Sequence, residues 1–146
     1  MTIFEKVKAA LDDEGIKYFV SPKEEELQLR WHFENQSVNI NLFIHNNHFV
    51  SIRARNLLEI ASDHRKYNAI RDLINSTNYN ECVTKAGWDP EDGEVSIQTA
   101  AWFIDCTPNS ETFHTMFRQL LAVTNSFVLE VERILCEENP QQRIAC

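Results

Sequence analysis

Apolar and polar residues alternate strictly along three stretches in the first half of the chain. Leu27, Leu29, Trp31 and Phe33 alternate with Gln28, Arg30, His32 and Glu34. Val38, Ile40, Leu42 and Ile44 alternate with Asn39, Asn41, Phe43 and His45, and Val50, Ile52 and Ala54 alternate with Phe49, Ser51, Arg53 and Arg55. A period of two sends successive side chains to opposite faces of a strand, so these stretches predict an antiparallel meander with one covered and one wet face. A shorter strand, Ile16 to Val20, precedes them and ends at Ser21-Pro22. The turn between the last two stretches sets the register. A two-residue Asn46-Asn47 turn pairs Ile40 with Arg53 and mixes the faces. A three-residue loop, His45-Asn46-Asn47, pairs Leu42 with Val50 and Ile40 with Ile52, with Asn47 left-handed. That register places Phe43 opposite Phe49 on the wet face.

Elsewhere the period is helical. Thr2 and Glu5 form a capping box ahead of Ile3, Phe4, Val7, Ala10 and Leu11, and Gly15 suits the stop. A second helix is expected from about Asp63 to Asn75, with Ser62 as N-cap and Tyr67, Ile70, Leu73 and Ile74 as its stripe. A second hairpin follows. One strand runs from about Glu81 to Trp88, the turn is Asp89-Pro90-Glu91-Asp92-Gly93, and the return strand runs from Glu94 to Ile104. The last helix spans about Ser110 to Glu137, with an apolar stripe from Phe113 through Phe117, Leu120 and Phe127 to Leu135. Asn139-Pro140 stops it, and the chain beyond Glu137 is expected to fray. The order α-β-β-β-β-α-β-β-α predicts a single α+β domain over 1–146. The first and last helices would cover one sheet face, and the middle helix would join meander to hairpin.

Composition narrows the function. The 146 residues carry a net charge of −8, and their 14 basic residues are scattered, so nucleic-acid binding is not expected. The same field disfavours anionic membranes and suits a basic or unfolded protein partner. Only three glycines occur, Gly15, Gly87 and Gly93, too dispersed for a phosphate-cradling loop. Cys82, Cys106, Cys136 and Cys146 show no metal-ligand spacing. No signal-peptide pattern or membrane-length apolar run occurs, which leads to the expectation of a cytoplasmic protein with reduced thiols.

Leu73-Ile74-Asn75-Ser76-Thr77-Asn78, then Trp88-Asp89-Pro90-Glu91-Asp92-Gly93-Glu94-Val95, then Phe113 to Leu121 together resemble the YbjN family of candidate bacterial sensory transduction regulators. The N-terminal helix and meander are similar to that family in order and length. The family in turn looks like the class I chaperones of type III secretion, which are small, acidic, usually dimeric α+β proteins that hold an extended segment of a secreted effector. The resemblance thus implies a chaperone-like or regulatory protein-binding module, and it supplies no catalytic residues.

Among individual residues, Phe43 and Phe49 stand out as aromatics on a wet face, rimmed by Arg30, His32, Asn39, Asn41 and Arg53. Exposed aromatics with a polar, Arg-bearing rim suit a protein contact, so Phe43, Phe49, Arg30 and Arg53 are the expected partner-binding set. The long helical stripe exceeds what one sheet covers easily, so Val128, Val131, Ile134 and Leu135 are the expected contacts of a homodimer. Asn75 and Asn78 are expected to bond backbone at a helix end. His45 and His48 read as a solvated loop, since a metal site needs three or four converging ligands. Asp63-His64 and Asp105-Cys106 suggest catalysis only by adjacency, which is insufficient. Asp63 suits a helix first turn, and Cys82 and Cys106 suit small buried positions. Trp88 and Trp102 are expected on facing strands, in core or interface. No enzyme activity, cofactor or metal is expected. The alternative is a regulatory domain that binds a small ligand between sheet and helices.

Overall fold

The computed structural model describes residues 1–22, 25–104, 106 and 108–137. The elements are α1 (Ile3–Asp13), β1 (Phe19–Val20), β2 (Glu26–His32), β3 (Ser37–His45), β4 (Phe49–Glu59), α2 (Tyr67–Asn80), β5 (Lys85–Trp88), β6 (Glu94–Trp102) and α3 (Ser110–Cys136). This is the expected α+β order. The six strands form one antiparallel sheet in the order β1-β2-β3-β4-β6-β5.

The alternation does the work expected of it. Leu27, Leu29, Val38, Ile40, Leu42, Ile44, Val50, Ile52, Ala54, Val95 and Ile97 all turn to one face and are buried. Against them lie Ile3, Val7 and Leu11 of α1, Ile70 and Ile74 of α2, and Phe113, Phe117, Leu120 and Phe127 of α3, in one continuous core. All three helices therefore cover the same face, α2 included. Among the described residues, the opposite face carries no helix.

α1 begins as its capping box requires: Glu5 donates its N–H to Thr2 Oγ1, and Thr2 donates its own to Glu5 Oε2. The Oδ1 atom of Asn47, at the β3–β4 turn, accepts from the N–H of Ile3 at 2.9 Å. One of the helix's orphan donors is thus satisfied from the sheet.

The β3–β4 register differs from the expected one by two residues. His45 pairs with Phe49, Ile44 with Val50, Leu42 with Ile52 and Ile40 with Ala54. Asn46 and Asn47 both adopt left-handed backbone, φ 51° and 55°, and the His48 N–H closes on the His45 carbonyl. His48 is the extra residue that restores the face parity a bare two-residue turn would break. Phe43 consequently faces Ser51, not Phe49.

Other boundaries also moved. β1 keeps two residues of the expected five. α2 starts at Tyr67, after tight turns from Ala61 to His64 and from His64 to Tyr67, so Ser62 is not its cap. It continues to Asn80, which pushes the start of β5 back to Lys85. β6 ends at Trp102. Cys82 and Cys106 are exposed and free, not buried, whereas Cys136 is disulfide-bonded, contrary to the reduced-thiol expectation. The frayed tail expected beyond Glu137, and Asp105 of the Asp105-Cys106 pair, lie outside the described residues.

Candidate binding face

The helix-free face is built from the second residue of every alternating pair. It has two zones, and the sequence-predicted residues divide between them.

The first zone is a ladder of rings. Phe43 stacks on His45 with centroids 5.9 Å apart, His45 lies 5.7 Å from Phe49, and Phe49 lies 4.7 Å from Trp102. The strands dictate this order: Phe43 and His45 are two residues apart on β3, His45 faces Phe49, and Phe49 faces Trp102. Trp102 is 69% exposed. His45 is exposed too, whereas Phe43 and Phe49 are half-buried. The ladder is therefore partly open to solvent, flanked by Arg53, which donates from Nε to Gln98 Oε1 at 3.0 Å. Phe43, Phe49 and Arg53 lie in this zone, with His45 between the two Phe rings. His45 belongs to this ladder and not to an open loop.

The second zone is a shallow groove of about 480 Å³ toward β1, bounded by Phe19, Gln28, Arg30, Asn39, Asn41 and Arg55. Arg30 belongs here. It lies four residues along β2 from Glu26, the partner of Phe43, or roughly 13 Å at strand rise. Phe19 is 79% exposed and faces Gln28 across the β1–β2 pair. The carboxylates nearby are already engaged. Glu26 accepts from Asn41 Nδ2 at 2.7 Å and Gln28 Nε2 at 3.1 Å. Glu94 accepts from Arg55 Nε and Nη2 at 3.2 and 3.1 Å and from the N–H of Asn56. That bidentate bond from Arg55 holds the Glu94 carboxyl below its ordinary range, with burial opposing it. Arg30, in contrast, makes no hydrogen bond or ion pair with any described residue.

Glu94 also shapes the face. Between Ala54 and Leu58 the β4–β6 register shifts by a bulge, and Asn56 within it is left-handed, φ 54°. The carboxylate grips both Arg55 and the Asn56 N–H, so it fixes the bulge that bounds the groove.

Sequence reasoning placed Trp102 in core or interface without assigning it to this face, and it missed Phe19. The parity of β6 carried the signal for Trp102: Val95, Ile97 and Thr99 are buried, so Gln98 and Trp102 must face the other way. Phe19 carried none, because a two-residue strand shows no period. Trp88 does turn to the core, where its indole donates to the Ile60 carbonyl and its ring meets Tyr67 edge-on.

The expected dimer residues lie elsewhere. Val128, Val131 and Ile134 are buried within the chain itself, and Leu135 packs half-buried against the core. Asn78 has the structural role expected of it. Its Nδ2 donates to the Ala86 carbonyl and its Oδ1 accepts from the Ala86 N–H, at 3.0 and 2.7 Å. Among the described residues no three of His, Cys, Asp and Glu gather as a metal site, and no helix is long and apolar enough to cross a membrane.

The fold has a solved counterpart. The chain superposes on the crystal structure of YbjN from E. coli, a candidate transcription regulator, with a TM-score of 0.68 over 88% of this chain and 90% of that one. It has a YbjN-like fold. Sequence identity over that match is 16%, so the shared property is architecture. No family model matches the chain, and no curated protein sequence does.

Proposed function

We propose that the chain is a non-catalytic, chaperone-like or regulatory module that holds an apolar segment of another protein on its helix-free sheet face. The single observation that supports this is the ring ladder Phe43-His45-Phe49-Trp102, partly open to solvent on a face where ordinary alternation calls for polar side chains. Exposed apolar rings cost free energy in water, and a partner's apolar side chains would recover about 25 cal/mol for each Å² covered. Arg53 and the amide-rich remainder of the face suit the polar rim of such a contact. The YbjN-like fold is compatible with a regulatory or binding role. A homodimer, if formed, would have this face available, because the apolar side chains at the end of α3 are spent on the core. Nothing in this reading needs a cofactor, a nucleic acid or a membrane.

The test is co-purification from the native cell with wild type and a Phe43→Ser/Phe49→Ser/Trp102→Ser variant, each checked for an unchanged melting curve. The variant is expected to lose partners that wild type retains. Identical partner sets would remove the ladder from consideration.

A further inference from the structure

The two edges of the sheet are treated differently. On β5 the residues whose backbone turns outward are the even-numbered ones, because Asp89 bonds Glu94 of β6 through its N–H. Of the two in β5, Ala86 and Trp88, Asn78 saturates both the N–H and the carbonyl of Ala86. That edge is capped at Ala86. On the other side, the Glu26 carbonyl accepts from Ser21, while Glu25 and Phe33 bond toward β3. Even residues of β2 therefore present their backbone toward β1. β1 pairs with Gln28 and Leu27 and goes no further. The N–H and carbonyl groups of Arg30 and His32 are left facing outward with no backbone partner among the described residues.

We infer that this free β2 edge accepts one extended acidic segment of a partner protein as an added strand, in line with β1 and beyond it. The inference rests on the protein-binding reading above and names the partner's chemistry. Its side chains follow from strand parity. Partner residues opposite Arg30 and His32 share the open face. There they meet the unpaired Arg30 guanidinium, in a groove whose flanking carboxylates, Glu26 and Glu94, are already bonded to Asn41, Gln28 and Arg55. The partner residue opposite Trp31 turns to the helix side. There it meets the half-buried Trp31 ring, itself packed edge-on to Phe117 at 5.5 Å. The preferred segment therefore reads acidic-apolar-acidic. A carboxylate beside Arg30 can accept two parallel N–H bonds, which Lys in the same position of a competitor could not do.

The test uses a fluorescein-labelled, end-blocked peptide Thr-Asp-Leu-Asp-Val-Thr in fluorescence anisotropy with the full chain. The same peptide N-methylated at both Asp residues, whose N–H groups face Arg30 and His32 in an antiparallel pairing, and a Thr-Lys-Leu-Lys-Val-Thr peptide, serve as comparators. Expected are saturable binding of the first, at least tenfold weaker binding of both comparators, and a reversed charge preference in Arg30→Glu. Equal binding of the N-methylated peptide would overturn strand addition, and equal binding of the basic peptide would overturn the acidic partner. Light scattering of the free chain adds a further arm. A dimer abolished by Arg30→Glu would assign the edge to a second copy and overturn the proposal. The Phe43→Ser/Phe49→Ser/Trp102→Ser variant separates the two readings. If it binds the acidic peptide as wild type does but loses its cellular partners, the edge stands independently of the ladder. If wild type ignores the peptide yet keeps ladder-dependent partners, the edge proposal fails and the binding face remains.

Discussion

Asn78 and Glu94 are polar side chains whose partners are mostly backbone or a single guanidinium, and each replaces something the chain cannot otherwise supply. Asn78 presents an amide with the same donor and acceptor as a peptide group, so it pairs with Ala86 much as a neighbouring strand would. Asn78→Ala leaves both Ala86 groups unmatched and is expected to cost about 1–3 kcal/mol, read from urea unfolding. Glu94 is expected to act through pH. Its pKa in the folded protein lies below the ordinary value of 4.5 because Arg55 donates to it. The unfolded chain therefore binds the proton more readily. The stabilisation is complete above the unfolded value and is lost as pH falls through the folded one. Unfolding midpoints of wild type and Glu94→Gln should differ at neutral pH and converge as pH drops from about 5 toward 3. A gap independent of pH would assign the effect to packing. Arg55 is 38% exposed, so solvent screens the pair and the ion pair alone is worth little. Phe43 and Phe49 were legible as wet-face aromatics because parity alone assigns them. That Arg30 has no partner among the described residues was not, since pairing is a property of neighbours on other strands.

At the level of elements, the sequence shows faces more readily than ends. Period-two alternation located β2, β3 and β4, and the capping box located α1, because those signals lie within a few residues of each other. Registers and boundaries depended on distant contacts. The β3–β4 register turned on His48, whose role as the extra residue is fixed when its carbonyl accepts from Phe103. The α2 boundary was extended past Asn75 because Asn78 must reach β5. The β5–β6 hairpin has a comparable long-range constraint. Gly93 is left-handed, φ 78°, and a Cβ there would lie 2.6 Å from the Ile60 carbonyl oxygen. Its own carbonyl accepts from the Ile60 N–H. Gly93→Ala should cost about 1–2 kcal/mol for the backbone conformation alone, with the clash added, and the loss should show as a lowered melting midpoint. A neutral result would mean that the turn can relax away from Ile60.

Over the whole molecule, the burial of α3 decides which surface is left for other chains. The sequence suggested a helix too long for one sheet to cover. α3 does run 27 residues, but α2 lies beside its second half, and Lys66 Nζ donates to the carbonyl of Glu137. The stripe is consumed there. Val131→Ala should therefore lower stability by about 1–3 kcal/mol and leave the molar mass in solution unchanged, measured by denaturation and light scattering on the same sample. A change of mass without a change of stability would place Val131 at an interface. Fold class and the wet-face aromatics were readable without coordinates. The division of that face into a ladder and a groove was not, because it depends on which strands become neighbours.

The closure of one sheet margin by Asn78 limits how such proteins can join. A β-sheet open on both sides can propagate without limit, each newcomer offering a fresh template to the next. Here one flank is capped at Ala86 from within, which favours the opposite flank for pairing between copies of the chain. Two such flanks meeting would exhaust each other and end growth at a pair. A cap at a single position of one margin thus works against continuous fibres by that route.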